Sequence, residues 1–272
     1  MLKNLFSPAP KHFVLSLLLC MSITTTWADV HHFGYVTETG TLPTGTTEVE
    51  VWNTARIGRD AYYFGLDQRL EFETGLTDHL QGSLYLNWNR TTEADSTGAL
   101  GTSNDFQGFS TELKYKLSDP STDIVGFGLY GELGFNTDRM EIEGKALFDK
   151  NLGPWILAGN LIAEGEIENR SMKFMDIELQ PVIAAAYEIT QHFTAGVELR
   201  NHNEIERQPD DSFKWMNSAL YLGPSVAYTT KSMTVTFTVL SQLPALKTED
   251  GKTFEIHDHE KLEARLHLSL DF

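Results

Sequence analysis

From about Glu48 to the end of the chain, apolar and polar residues alternate with a period of two, the pattern of β-strands that have two different faces. The segment 64–76 is the clearest example, because its apolar positions alternate with charged or small residues. The alternation predicts twelve strands, at 48–57, 61–76, 80–90, 106–117, 124–136, 140–149, 155–169, 173–189, 193–206, 212–228, 233–242 and 259–272.

Two properties of these segments favour a membrane barrel over a soluble β-sandwich. Many of the segments are longer than the roughly six residues usual in globular proteins and long enough for a tilted membrane strand, which needs about nine to eleven. Short connections also alternate with longer ones, which are predicted at 91–105, 207–211 and 243–258. We therefore predict an all-β protein, a closed antiparallel transmembrane β-barrel of about twelve strands, formed by residues 47–272.

Residues 1–28 have the layout of a secretory signal peptide. Lys3 and Lys11 accompany the apolar run 13–21, and the small residues before position 29 suit cleavage after Ala28. The only cysteine, Cys20, lies within this signal, so thiol chemistry is not expected in the mature chain. Residues 29–46 are expected to form a periplasmic N-terminal segment that precedes the barrel.

The last strand, with Leu266, Leu268, Leu270 and terminal Phe272, resembles the C-terminal strand that the outer-membrane assembly machinery recognises. The mature N-terminal region and the first predicted strands resemble a group of uncharacterised proteobacterial outer-membrane barrel proteins. This second similarity is carried by Phe33-Gly34-Tyr35, Leu42-Pro43-Thr44-Gly45, Glu48-Val49-Glu50-Val51-Trp52, Arg59-Asp60 and Phe72-Glu73-Thr74-Gly75-Leu76-Thr77-Asp78. The resemblance implies an outer-membrane barrel and assembly through the strand that ends at Phe272, and it implies no ligand.

In barrels of this type the polar face of each strand points into the lumen. One group of inward charged residues joins the last strand to the early ones and carries both signs of charge. This predicted lumen charge network comprises Glu50, Asp67, Arg69, Glu71, Glu73, Glu112, Lys114, Glu263, Arg265 and His267. Pairs of opposite sign can hold the barrel closed across the strands. The alternative is a selectivity filter or a polar binding site.

On the opposite wall, the inward positions change from charged to apolar along the strands. The charged ones form a predicted acidic extracellular mouth of Glu141, Glu143, Glu164, Glu166, Glu168, Asp176 and Glu178, with Lys214 at the same level. The apolar ones predict a partly dry periplasmic half, and they include Ile156, Ala158, Ile162, Val182, Ala184, Ala186, Leu220, Leu222 and Val226. Such a lumen is either packed with side chains or holds a small pocket for a cationic or amphipathic solute.

Two weak candidates for metal binding stand out. His257 and His259, two residues apart in the last connection, are predicted to share one face and could bind a transition ion. If processing follows Ala28, the new amine of Asp29, two amide nitrogens and the imidazole of His31 could form a square-planar site for Cu(II) or Ni(II). The alternative for His257 and His259 is a solvated loop, and no cofactor is expected.

The formal net charge of −17 argues against nucleic acid as a partner. Outer-membrane lipids and lipopolysaccharide are the expected surroundings, in the outer membrane after export. No enzymatic activity is expected, because the sequence has no HExxH motif or phosphate-binding glycine loop, and His79 and His192 fall in predicted turns without an evident partner serine.

These observations predict a narrow, porin-like channel or transporter for small solutes or ions, with an acidic extracellular mouth. The alternative is a non-conducting structural or surface-interaction barrel. An outer-membrane lipid-modifying enzyme is the third hypothesis.

Overall fold

The computed structural model describes residues 31–272, so the predicted signal peptide and Asp29 lie outside the described residues. Within this range the chain forms twelve antiparallel strands, each paired with its sequence neighbours, and β12 pairs with β1 to close the barrel. The strands are β1 Thr47–Ile57, β2 Tyr63–Thr77, β3 Leu80–Ala94, β4 Leu100–Ser118, β5 Gly126–Phe135, β6 Arg139–Leu152, β7 Trp155–Glu168, β8 Lys173–Thr190, β9 Phe193–Arg207, β10 Phe213–Thr229, β11 Met233–Lys247 and β12 Leu262–Asp271. The predicted closed barrel of twelve strands is confirmed. None of the described residues belongs to a helix long and apolar enough to cross a membrane.

The two ends of the barrel have different connections. The turn end holds the start of β1, the end of β12 and the connections 78–79, 119–125, 153–154, 191–192 and 230–232. The loop end holds the connections 58–62, 95–99, 136–138, 169–172, 208–212 and 248–261. The prediction that 91–105 forms a loop is largely wrong, because residues 91–93 pair with residues 101–103 and extend the β3–β4 hairpin. Among the connections of the described residues at the loop end, 248–261 alone is longer than five residues.

The alternation of side chains explains why the sheet closes. Glu48, Glu50 and Glu71 are buried in the lumen, whereas outward residues such as Leu161 and Ile183 are each 60% exposed. Exposing so much apolar surface to water would cost about 25 cal/mol per Å². The outer surface is therefore suited to hydrocarbon, and closure leaves no unpaired strand edge within it.

A bulge in β10 changes which residues face inward. The register with β9 shifts between Trp215 and Asn217, so the alternation downstream moves by one residue. Ala219, Tyr221 and Ala227 are buried inside, while Leu222 and Val226 are 39% and 36% exposed. The prediction that Leu220, Leu222 and Val226 face the lumen is therefore wrong, because the alternation was extended through a position where two residues oppose one. Lys214 precedes the bulge and pairs with Glu206 of β9, so the shift does not affect it.

The segment before β1 does not extend away from the barrel. Phe33, Tyr35, Val36 and Leu42 are buried, with Phe33 and Leu42 only 1% exposed, and the first three cluster with residues of the barrel wall. We call residues 31–46 the N-terminal segment. The structure places this segment inside the turn-end half of the barrel. The sequence-based expectation is a segment in the periplasm, outside the barrel.

Candidate functional site: a lumen closed by the N-terminal segment

The N-terminal segment is anchored by a carboxylate on the barrel wall. Glu198 of β9 is completely buried and accepts hydrogen bonds from the backbone N–H groups of Gly34, Tyr35 and Val36, at 2.8, 2.8 and 3.2 Å. Thr238 of β11 donates a further hydrogen bond to the same carboxylate at 2.8 Å. Since hydrogen bonds to a charged group stabilise by about 1.5–3 kcal/mol each, Glu198 is a strong attachment point.

Further along, the segment is held by polar side chains of other strands. Asn160 of β7 accepts from the Thr37 N–H at 2.7 Å and donates to its carbonyl at 2.8 Å. Asp149 of β6 accepts from the N–H and the hydroxyl of Thr39, at 2.9 and 2.7 Å. The N–H of Leu42 donates to Gln81 of β3 at 2.8 Å. The anchors lie on β9, β7, β6 and β3, so the segment passes around much of the lumen.

Apolar packing fills the space between these anchors. Phe33, Tyr35 and Val36 form one buried cluster with wall residues of β7, β8, β10 and β11, namely Ile156, Ala158, Ile162, Val182, Ala184, Ala186, Ala219, Tyr221 and Leu240. The apolar inward residues of this wall predict a partly dry periplasmic half. The structure shows that a segment of backbone, rather than wall side chains alone, fills it.

Arginines form the next layer above the segment. Arg265 of β12 donates to the Gly34 carbonyl at 2.8 Å and lies 4.1 Å above the Tyr35 ring. Arg200 of β9 pairs with Glu263 at 2.5 Å and also lies over Tyr35. The guanidinium planes therefore rest on the aromatic ring that the segment carries.

The predicted lumen charge network is brought together in part, and with partners that the sequence analysis did not identify. Arg69 forms an ion pair with Glu132 of β5 and lies over the Tyr85 ring, and Asp67 pairs with Arg56 at 2.7 Å. Glu112 accepts from the Tyr85 hydroxyl. The missed residues Arg56, Tyr85, Glu132 and Arg200 all occupy inward positions of the same alternation, which could have identified them.

Glu50 connects the N-terminal segment to the β1–β12 seam. Its carboxylate oxygens lie 2.9 Å from His31 Nε2 and 3.0 Å from His267 Nε2. The Trp52 indole donates to Glu50 at 2.9 Å and stacks on the His267 ring at 3.7 Å. His31 was predicted to act near a free N-terminus, but its side chain lies inside the barrel.

Above the N-terminal segment, the lumen holds a cavity of about 840 Å³. Its floor includes Gly34, Tyr35 and Val36, and its walls carry charged residues of both signs. The acidic ones are Glu50, Asp67, Glu71, Glu73, Glu112, Glu132, Glu141, Glu143, Glu164, Glu166 and Glu178, and the basic ones are Arg56, Arg59, Arg69, Lys114, Arg139, Lys145, Arg200 and Arg265. The cavity can therefore surround a small polar solute.

Five residues of the predicted acidic mouth line this cavity: Glu141, Glu143, Glu164, Glu166 and Glu178. The other two, Asp176 and Glu168, do not line it, and Glu168 is exposed at the end of β7. Two basic residues reduce the negative charge, since Lys145 pairs with Glu143 at 2.9 Å and Arg139 with Glu166 at 2.5 Å. Glu164 faces Glu143 on one neighbouring strand and Glu178 on the other.

The connection 248–261 folds over part of the loop end. His259 is 3% exposed and His257 is exposed, so the prediction that they share one face is wrong. Burial, together with the nearby charges of His202 and Arg200, lowers the pKa of His259 to about 2. Its Nε2 lies 2.8 Å from the Asn217 side-chain oxygen. Arg59 forms an ion pair with Glu260, which fastens this connection to the start of the β1–β2 loop.

Comparisons with known proteins agree with this fold. Residues 25–272 match a family described as a family of unknown function (DUF6662). No curated protein sequence matches the chain. The COG4313 outer membrane channel from Pseudomonas putida F1 is similar in structure, with a TM-score of 0.60 and 15% identity over 86% of this chain and 98% of that one. The NanC porin has a TM-score of 0.53 and 13% identity over 82% of this chain and 100% of that one. At these identities the likeness shows a shared barrel fold.

Proposed function

The chain belongs to the family of unknown function DUF6662, and we propose that it is an outer-membrane channel for small solutes or ions that its own N-terminal segment closes. The location is supported by the apolar outer face, by strands of 10 to 19 residues and by the outer-membrane origin of a similar barrel. A channel is supported by the names of the two similar structures, a channel and a porin.

The observation that carries the proposal is the cavity of about 840 Å³ bounded at the turn end by the N-terminal segment. Its polar and charged walls suit a hydrated solute, because buried polar groups must find partners. The segment is continuous with β1, so it can leave the lumen only through the turn end. Its release would join the cavity to the periplasmic side.

An acidic mouth favours cations at the opposite entrance. Glu141 and Glu164 line the cavity among further carboxylates, while Glu143 and Glu166 are paired with bases. Rings of like charge near a constriction set ion preference. We therefore propose that a small cationic or amphipathic solute enters at the loop end.

Conductance of the mature chain in planar bilayers tests the proposal. We expect small or infrequent openings for the native chain and a several-fold larger mean current when 31–44 are replaced by a Gly/Ser linker of equal length. Folding of both chains is checked by heat-dependent gel mobility. If the replaced chain folds and carries no current, the channel proposal is overturned.

The second candidate is a non-conducting barrel that binds a solute in a pocket open only at the loop end. The many anchors of the N-terminal segment favour this alternative, since a permanent segment would close the lumen. We propose no lipid-modifying activity, because His31 and His267 are buried inside the barrel with Glu50 and do not face lipid.

A further inference from the structure

Three side chains from distant parts of the chain converge on one point in the lumen. His31 lies on the N-terminal segment, Glu50 on β1 and His267 on β12, and they are 7%, 0% and 0% exposed. One donor atom from each lies within 4.8 Å of the others. The two imidazole rings meet edge to face, with centroids 4.6 Å apart.

Glu50 lies in the middle of this group. Its carboxylate oxygens lie 2.9 Å from His31 Nε2 and 3.0 Å from His267 Nε2. The Trp52 indole fixes the arrangement, by donating to Glu50 and stacking on His267. One carboxylate oxygen and one ring nitrogen from each imidazole therefore lie around a common centre.

We propose that His31, Glu50 and His267 bind one divalent transition-metal ion of the Zn²⁺ class. Two imidazole nitrogens and one carboxylate oxygen form a ligand set that Zn²⁺ uses, with ligand distances of about 2.0–2.2 Å. A tetrahedral ion with such distances holds its ligand atoms about 3.3 Å apart, and in this group the Nε2 atoms of His31 and His267 lie 2.9 and 3.0 Å from the two oxygens of Glu50, with all ligand atoms within 4.8 Å. His31 and Glu50 also line the cavity, which gives the ion an access route.

The charges around the group independently call for a cation. Glu48, Glu71 and Glu73 are each at most 3% exposed, and donor atoms of Glu48 and Glu73 converge with one of Glu50. Lys114 is the cation that interacts with Glu73. Ionised buried carboxylates cost several kcal/mol each unless positive charge compensates them, and the alternative is protonation. A divalent ion at Glu50 supplies that charge where the carboxylates meet.

The proposed ion would fasten the N-terminal segment to the wall, because one ligand belongs to the segment and two belong to the β1–β12 seam. The proposal depends on the geometry of these three residues and does not require the barrel to conduct.

A second group, His202, Glu204 and His259, is different because its members already contact Glu178 and Asn217 at 2.5 to 2.8 Å. It carries no proposal.

Zn²⁺ titration of the tag-free mature protein in detergent, after treatment with a chelator, tests the site by calorimetry. We expect one ion per chain in the native protein and at least a tenfold weaker affinity in His31→Ala. His32→Ala is the matched control, since His32 is the next residue but contacts Glu38. Absence of a stoichiometric site in the native protein overturns the proposal, as does equal binding by His31→Ala.

A second variant separates this site from one built on a free N-terminus, which would also use His31. His267→Gln should weaken binding at least tenfold, whereas a site at the amino group would be unaffected. His192→Gln, in an exposed turn, is the control, and heat-dependent gel mobility shows whether each variant folds. Visible absorption of Co²⁺ bound in place of Zn²⁺ should show a tetrahedral spectrum that His267→Gln removes. Unchanged binding and an unchanged Co²⁺ spectrum in folded His267→Gln overturn the proposal.

Discussion

Gly75 of β2 and Pro43 of the N-terminal segment approach so closely that a Cβ atom at Gly75 would lie 2.2 Å from the Pro43 carbonyl oxygen. The Leu42 carbonyl oxygen would lie 2.5 Å from the same atom. Because both obstacles are backbone atoms, no side-chain rotation can relieve the clash. The absence of a side chain at Gly75 is therefore a condition for seating the segment.

Gly75→Ala is expected to fold as a barrel but to displace the N-terminal segment. Limited proteolysis should cleave 31–46 several-fold faster than in the native chain, with little change in heat-dependent gel mobility. The matched control is Gly131→Ala, where a Cβ atom would meet nothing within 4 Å. Equal cleavage rates in the two variants would show that the contact at Gly75 does not position the segment.

Glu198→Gln tests the main anchor. The neutral amide keeps the size of the side chain but removes the charge that strengthens three backbone hydrogen bonds. A hydrogen bond to a charged group stabilises by about 1.5–3 kcal/mol. If Glu198→Gln loses stabilisation of this order, amide exchange in the segment should be roughly 10- to 100-fold faster. Hydrogen exchange at Gly34, Tyr35 and Val36 measures it.

The control for this anchor is Glu206→Gln, which changes the charge of the same strand near the loop end. Its effect on exchange at 34–36 should be small. If both variants accelerate exchange equally, the change reflects the stability of β9 as a whole and not the loss of an anchor.

The pH dependence of the segment should follow His32. Burial disfavours the charged imidazole, but the Glu38 carboxylate, which contacts the ring at 2.9 Å, outweighs it and raises the pKa of His32 above 6.5. Because the pKa of His32 is higher in the folded protein, protonation of His32 stabilises the folded segment fully when the pH is below the pKa of the unfolded chain. This stabilisation is lost as the pH rises through the pKa of the folded protein. Proteolysis of 31–46 should therefore accelerate from acid towards mildly alkaline pH.

His32→Gln provides the comparison for this pH effect. The variant cannot gain a proton at this position, so its cleavage rate should vary less with pH once the protease's own profile is subtracted. A pH profile identical to that of the native chain would assign the dependence to other groups.

The strands could be predicted from sequence because the alternation is local, and a side chain must face either hydrocarbon or lumen at each step. The β10 bulge could not be predicted, since the extra residue between Trp215 and Asn217 is evident only in the pairing with β9. The missed partners Glu132 and Arg200 could have been predicted, because both occupy inward positions of the alternation. The amino-acid pattern contains one sign of the N-terminal segment: Asn160 is polar among the inward apolar residues Ile156, Ala158 and Ile162 of β7. Its partners are backbone groups, which leave no mark in the amino-acid pattern.

Ion preference should depend on Glu164 and not on Glu168, although the sequence analysis placed both in the acidic mouth. Glu164 lines the cavity and faces Glu143 and Glu178, whereas Glu168 is exposed at the strand end outside the cavity. In the conducting chain with 31–44 replaced, Glu164→Gln should move the reversal potential in a KCl gradient towards zero, and Glu168→Gln should leave it nearly unchanged. Each variant removes one negative charge. Because solvent screens the exposed charge of Glu168, Glu168→Gln is the control for the change in overall charge. Equal shifts would mean that selectivity arises from the general negative charge of the barrel, and no shift in either would remove the acidic mouth as the selective element.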